Sequence, residues 1–385
     1  MLKSRMYRIV LLVSLAFSGL SISLVQAQDT PKIRLQSKWV VQAQFAGYYE
    51  AVAQGYYKDA GLDVTILPGG PDITPEQVVA SGGAEFGIDW LPSLLNSREQ
   101  GAKLVNVAQV FARSGMREIS FTSKNIKASA DLKGKKVGVW LGGNEFELFA
   151  ALVKNKMDPQ NPSDVTIVKQ PFDMTLLLSG DVDAAAAMTY NEYAQVLEAV
   201  NKATGKTYSA SDLNQIDFNQ EGTAMLEDGI FANADWLAKT GNEDVAVKFI
   251  AASLKGWIYC RDNMADCVKT VLAQGPTLGE GHQTWQMNEV NKLIWPNKLG
   301  IGLMDPAAFQ QTADISLKYQ VITKAPDKTA YRTDLAEKAV KLLTDAKVDV
   351  NGASYQPAVV TLSEGGNTAQ VTMPAMAATM AATAK

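Results

Sequence analysis

Open parallel α/β sheets hold their ligands beyond the carboxyl ends of the strands, so the residues that follow each strand are where recognition chemistry is expected. Here those residues are rings and acids. Trp39 ends the first strand-like stretch, and Phe45, Tyr48 and Tyr49 open the helical stretch after it. Asp89 and Trp90 follow a third such stretch, and Tyr190, Asn191 and Glu192 follow the alanine-rich run at 183–188. One ring by itself is ordinary core packing, and one acid is an ordinary cap or surface group. Their shared position at strand ends makes them binding candidates: the rings can stack on a flat conjugated guest, while Asp89 and Glu192 accept from its amino or ring N–H groups.

Gly142, Gly143 and Asn144 lie between a strand and a helix, where free backbone N–H groups can meet a ligand acceptor. Asn144 can equally serve as an N-cap. The loop lacks the Lys-Ser/Thr of a P-loop and the spacing of a dinucleotide fingerprint. Gly69-Gly70-Pro71-Asp72 reads first as a tight turn and second as a ligand loop. Few cations stand at strand ends, Arg113 and Arg117 being the nearest candidates. Nitrate, sulfonate or phosphate would call for cations or converging N–H donors, so the pattern favours a planar heteroaromatic. The sole histidine, His282, and the two cysteines, Cys260 and Cys267, make no zinc-type cluster. No metal or other cofactor is expected. On one unbroken helix the two cysteines stand ~10 Å apart, too far to bridge, but Asp262-Asn263 can end one helix and start another. A disulfide and two free thiols are both open.

These residues need a scaffold, and the chain supplies alternation. Strand-like segments at 33–40, 62–67, 85–88 and 104–111 are separated by helical patterns at 45–60, 75–80 and 92–100, which predicts βαβ units around a parallel sheet. A second alternating block runs from a strand at 136–140 to a helix at 191–200, with extended segments at 116–122, 214–219 and 225–231 leading into and out of it. A domain entered and left in mid-chain has paired connections, and these form a hinge. Helices alone follow, at 243–261, 264–273, 283–293, 306–319 and 333–343. Lobe 1 is thus expected over 28–115 plus 225–355, lobe 2 over 116–224, and 356–385 as an extended or disordered tail.

The first residues carry Lys3, Arg5 and Arg8 ahead of an apolar run to Val25 and then Val25-Gln26-Ala27, the pattern of a signal peptide cleaved after Ala27. Its loss makes the formal charge three units more negative than -4. An acidic chain without basic runs offers no footprint for nucleic acid or for a membrane surface.

The motifs GYYKDAGLDV (55–64), VASGGAEFGI (79–88), DLKGKKVGVW (131–140) and TYNEY (189–193), with Trp39 before them, resemble the THI5/NMT1-like substrate-binding proteins over residues 33 to 320. These are a branch of the nitrate, sulfonate and taurine (SsuA-like) group. The resemblance implies a two-lobed type II periplasmic binding protein fold, with parallel-core sheets and a double hinge. It also implies a monomer that delivers a small molecule to the permease and ATPase of an ABC importer. Relatives bind thiamine pyrimidine precursors between rings with an acid at the amino group, a role that would fall here to Trp39, Tyr190 and Glu192; others are similar to riboflavin-binding proteins. The same superfamily includes eukaryotic pyrimidine synthases that use histidine, pyridoxal phosphate and iron. That chemistry wants a site histidine and a cysteine-rich motif, which this sequence lacks, so a binding role without catalysis is expected. A protein that reports its ligand to a sensor is the remaining alternative.

Overall fold

The computed structural model describes residues 30–374. The signal peptide and cleavage point expected from the sequence lie outside the described residues. The first sheet is built from β1 (Lys32–Gln36), β2 (Asp63–Leu67), β3 (Phe86–Asp89) and β4 (Leu104–Gln109), and the second from β5 (Met116–Phe121), β6 (Lys136–Val139), β7 (Thr166–Lys169) and β8 (Ala184–Met188). Short strands β9 (Val200–Asn201) and β10 (Lys206–Thr207) pair with each other; β11 (Leu213–Asp217) joins the second sheet, β12 (Gly229–Asn233) the first, and β13 (Val359–Leu362) and β14 (Ala369–Thr372) form a terminal hairpin.

The strand orders are β2-β1-β3-β12-β4 and β11-β5-β8-β6-β7. Within them β1 pairs parallel with β2 and β3, and β6 parallel with β7 and β8, which is the expected parallel core. In the first sheet β12 runs antiparallel to β3 and β4, and in the second β5 runs antiparallel to β8 and β11. The segments expected as connectors thus satisfy their backbone groups by joining the sheets they lead to. The chain passes between sheets at 110–115 and again at 218–228.

Four alanines in β8, all buried, let the layers on both faces of the second sheet pack closely. The helix Asn242–Asp262 lies against the helix Ala46–Ala53, and their contact depends on two glycines: a Cβ on Gly256 would stand 2.0 Å from the Gly47 carbonyl oxygen, and one on Gly47 would enter the Trp257 ring. The helix read as 45–60 is two pieces, Ala46–Ala53 and Tyr56–Asp59, because Gly55 between them adopts φ 74. The later helices fall where expected, at Met264–Gln274, Glu280–Ile294, Pro306–Lys318 and Asp334–Asp345. Asn263 breaks the helix between the two cysteines, and Cys260 and Cys267 form a disulfide with Cα atoms 5.5 Å apart.

Within 356–385, expected as an extended or disordered tail, residues 359–372 form an antiparallel hairpin. The hairpin there contacts the helix Glu280–Ile294, and its turn, at Glu364–Gly366, contacts the helix Glu192–Glu198. Neighbouring helices supply the apolar partner that the segment's own pattern does not announce. Among the described residues no helix is long and apolar enough to cross a membrane.

Candidate functional site

The carboxyl ends of the parallel strands of both sheets open on one cleft. Its inner part is a recess of about 390 Å³, counting the space at its mouth. The segment after β1 supplies Lys38, Trp39, Gln42 and Gln44, that after β3 supplies Trp90, and that after β6 supplies Trp140 and Asn144. Met188 at the end of β8, with Tyr190, Asn191 and Glu192 beyond it, completes the wall. A wider, more polar compartment of about 1650 Å³ adjoins it and shares Lys38, Trp39, Trp140 and Asn144. Its other walls are the 70–77 segment, Asp89 and Ser93, the 141–146 loop, and Lys169, Gln170 and Phe172.

Among the residues expected at the site, Trp39, Trp90, Asn144, Tyr190, Asn191 and Glu192 are brought together in the recess, while Asp89, Gly142 and Gly143 line the wider compartment. Phe45 and Tyr48 line neither. Both are buried in the main core, where Tyr48 meets Trp257 edge to face at 5.5 Å. Helix 46–53 is covered on nearly all sides by the later helices, so the rings at its start turn inward. Trp140, Lys38, Gln42 and Gln44 were missed. Trp140 reads in the sequence as the last residue of a strand, and Lys38 as a solvated charge.

Lys38 is partly buried and ion-paired with Asp89, and its ammonium lies over the Trp90 ring at 4.8 Å from the centroid. Asp89 also accepts from the Trp90 backbone N–H at 2.6 Å, so its first task is internal. Trp90 Nε1 donates to Asp228 at 3.1 Å and Gln44 donates to the other oxygen of Asp228 at 2.9 Å. Burial, opposed by these donors and by the Lys38 charge, pushes the Asp228 carboxyl up to about 7. Glu76, almost fully buried beside Asp89, is pushed well above the usual carboxylate range, first by burial and then by the Asp89 charge. The arginines proposed nearest the site are elsewhere: Arg113 donates to the carbonyls of Lys292, Leu293 and Pro296 at the end of a helix, and Arg117 pairs with Asp217 at 3.1 Å.

Glu192 accepts from the Met188 N–H at 3.0 Å and from the Asn191 amide at 2.6 Å. Burial raises it to about 7 against the pull of those donors and of His282. Gly142 and Gly143 hold φ of 99 and 120, a conformation that favours glycine. The Gly143 N–H is directed to Glu145 at 2.8 Å, and the helix begins at Phe146 with Glu145 in the cap position, so Asn144 faces the cleft instead of capping. The Gly69–Asp72 turn also walls the cleft, from Gly70 onward. At the mouth Trp39 meets Phe172 edge to face, ring centroids 4.9 Å apart, and Ser93 lies 3.5 Å from the Gly143 carbonyl.

The sequence matches the family described as NMT1/THI5 like over residues 42–265. It is 24% identical to the riboflavin-binding protein RibY of Chloroflexus aurantiacus over 301 residues, covering 75% of this chain and 81% of that one. It is 23% identical to a formylaminopyrimidine-binding protein of Halalkalibacterium halodurans over 251 residues, covering 64% and 71%. In fold it is similar to the periplasmic aliphatic sulphonate binding protein SsuA of Escherichia coli, at a TM-score of 0.57 and 17% identity over 77% of this chain and 90% of that one. The architecture is thus the two-lobed type II periplasmic binding protein fold.

Proposed function

The chain belongs to the NMT1/THI5-like family, and on that premise we propose that it is the periplasmic solute-binding component of an ABC importer, capturing a planar aminopyrimidine of the thiamine-precursor type. Residues 28–115 with 225–355 are taken as one lobe, and 116–224 as the other. The observation that carries the reading is the lining of the recess: Trp39, Trp90, Trp140 and Tyr190 surround it with flat rings, and Glu192 and Asn191 stand at its edge as hydrogen-bonding groups. Burying one ring face contributes a few kcal/mol at ~25 cal/mol per Å², and the carboxylate orients an amino group. The related formylaminopyrimidine-binding protein supports the ligand class.

Among the described residues Lys38 is the one cation lining the recess, and Asp89 neutralises it. Three further buried acids, Glu76, Asp228 and Glu192, lie at or beside this part of the cleft. A nitrate or sulfonate would find no unpaired cation lining the recess, which weighs against the anion reading. A flavin is the second reading, favoured by the wider compartment beside the ring recess and by the likeness to RibY. Catalysis of the pyrimidine-synthase kind is disfavoured because both cysteines are spent in the disulfide and His282 is held by Glu198 and Asn191.

A thermal-shift screen of the purified protein tests the proposal, with aminopyrimidines, flavins, thiamine, taurine and nitrate as ligands. A ligand at a hundred times its Kd adds about 2.7 kcal/mol to the native state. Stabilisation by aminopyrimidines is expected; stabilisation by the anions alone would overturn the assignment.

A further inference from the structure

The sole histidine of the chain stands behind the recess and joins two acids through an asparagine. His282, on the helix Glu280–Ile294, places Nδ1 2.8 Å from Glu198 Oε1 and Nε2 2.8 Å from Asn191 Oδ1. Asn191 in turn donates its amide nitrogen to Glu192 Oε1 at 2.6 Å, and Glu192 Oε2 receives the Met188 N–H at 3.0 Å. All four side chains are largely buried.

Counting donors narrows the placement of the protons. With its nitrogen directed at Glu192, Asn191 offers His282 only a carbonyl oxygen, and on its other side the ring meets a carboxylate. Both ring nitrogens face acceptors, which is the pattern of an imidazolium with two N–H donors. In the reverse arrangement a neutral ring accepts from the Asn191 amide, the Asn191 carbonyl faces Glu192, and Glu192 must carry the proton. The two arrangements hold equal numbers of protons. They differ in what Glu192 presents to the recess: a carboxylate that only accepts, or a neutral acid whose O–H can turn to a ligand carbonyl.

We propose that His282 is a positioning residue that keeps Glu192 an acceptor and thereby selects a ring with an amino donor over its oxo counterpart. The inference rests on the ring-binding reading above. Stacking on Trp39, Trp90 and Tyr190 does not separate amino from oxo rings, since both have the same flat face; the polar edge does. A site built to pair with an amino group rejects the analogue that leaves its buried acceptor unpaired. The positive charge of His282 is also one of the influences that hold Glu192 down against burial. The backbone at this edge has a separate anchor, because Trp285 on the same helix donates to the Thr189 carbonyl at 2.9 Å. Losing the imidazole therefore leaves the 189–192 segment in place.

The test titrates the full chain and its His282→Gln variant by calorimetry with 4-amino-2-methylpyrimidine and with the 4-oxo counterpart. Wild type is expected to prefer the amino ring by a hundredfold or more, and the variant to lose at least tenfold of that preference. Glu198→Gln, which removes the partner of Nδ1, is expected to act in the same direction and serves if His282→Gln does not fold. An unchanged amino-to-oxo ratio in a folded variant overturns the proposal while leaving the binding reading intact. Failure of wild type to bind either ring overturns both.

Discussion

Where the chain passes between its sheets, one hydroxyl lies between two buried acids. Ser114 Oγ is 2.9 Å from Glu147 Oε2 and 2.8 Å from Glu227 Oε1. A serine has a single proton to give, so one acid must hold another. Glu227 Oε1 also accepts from the backbone N–H groups of Gly115 at 2.8 Å and Met116 at 3.1 Å, which favours its ionised form. Glu147 is then the acid that keeps its proton and donates to Ser114, which donates to Glu227. Burial first, and then the Glu227 charge, push Glu147 well above the usual carboxylate range. An unfolded glutamate releases its proton near pH ~4.3, so above that point the folded chain binds more protons and stability falls as pH rises. The contribution is whole below the unfolded value and declines by about 1.4 kcal/mol per pH unit until the folded acid itself ionises. Glu147→Gln mimics the protonated acid: its amide N–H can donate to Ser114 and its carbonyl can accept the Met225 N–H that Glu147 receives at 2.8 Å. Urea unfolding at pH 5, 6, 7 and 8 should find variant and wild type nearly equal at pH 5. The variant should gain on wild type steadily as pH rises. Parallel stability curves would refute the proton assignment.

Other outcomes follow from the same geometry. Trp39→Ala removes both a wall of the recess and the partner of Phe172, and calorimetry should show affinity for an aminopyrimidine reduced tenfold or more with the circular dichroism spectrum unchanged. At Gly143, where a Cβ would approach Ser93 Oγ to 2.8 Å and φ is 120, valine should weaken ligand binding by at least tenfold by forcing apart the contact between Ser93 and the 141–146 loop; equal affinity would mean that this contact plays no part in holding the ligand. Replacing Cys260 and Cys267 by serine should cost about 2–3 kcal/mol in urea unfolding, and treating wild type with reductant should reproduce the loss.

Much of the fold and part of the site could be read from local pattern. Alternation of strand and helix placed both sheets, and the strand-end rule located Trp39, Trp90, Tyr190, Asn191 and Glu192 because it depends only on where a strand stops. Phe45 and Tyr48 satisfy the same rule and yet belong to the core, since Tyr48 is covered by Trp257 on helix 242–262 and the 43–45 turn packs on helix 280–294, some two hundred residues later. No local signal carries those contacts. Lys38 escaped for a related reason: a lysine next to a tryptophan reads as solvated until Asp89, 51 positions away, takes it into the interior. The acids at the crossing were equally hidden, with Ser114 separated from Glu147 by 33 positions and from Glu227 by 113. The terminal hairpin has few buried positions of its own and is held by the helices it covers.

The two walls of the cleft are held with unequal strength, and that inequality bears on how a ligand enters. On one side the 189–192 segment is fastened to helix 280–294 through His282 and Trp285, and the terminal hairpin contacts both that helix and helix 192–198. On the other, Phe172 and Gly143 meet the facing wall through an edge-on ring contact with Trp39 and a long hydrogen bond at Ser93, while Phe146 packs with Met225 and Ile315. Parting the Trp39–Phe172 pair costs about 1 kcal/mol beyond its buried area, whereas opening along the first side would strand buried polar groups of the Glu198–His282–Asn191 chain at 1–3 kcal/mol each. On the proposed binding reading, the Tyr190 wall is then the floor against which a ring is set, and the Gly142–Asn144 loop the part that moves. Gly143→Val acts on the moving part alone and His282→Gln on the floor, so the first should weaken amino and oxo rings alike while the second changes the ratio between them.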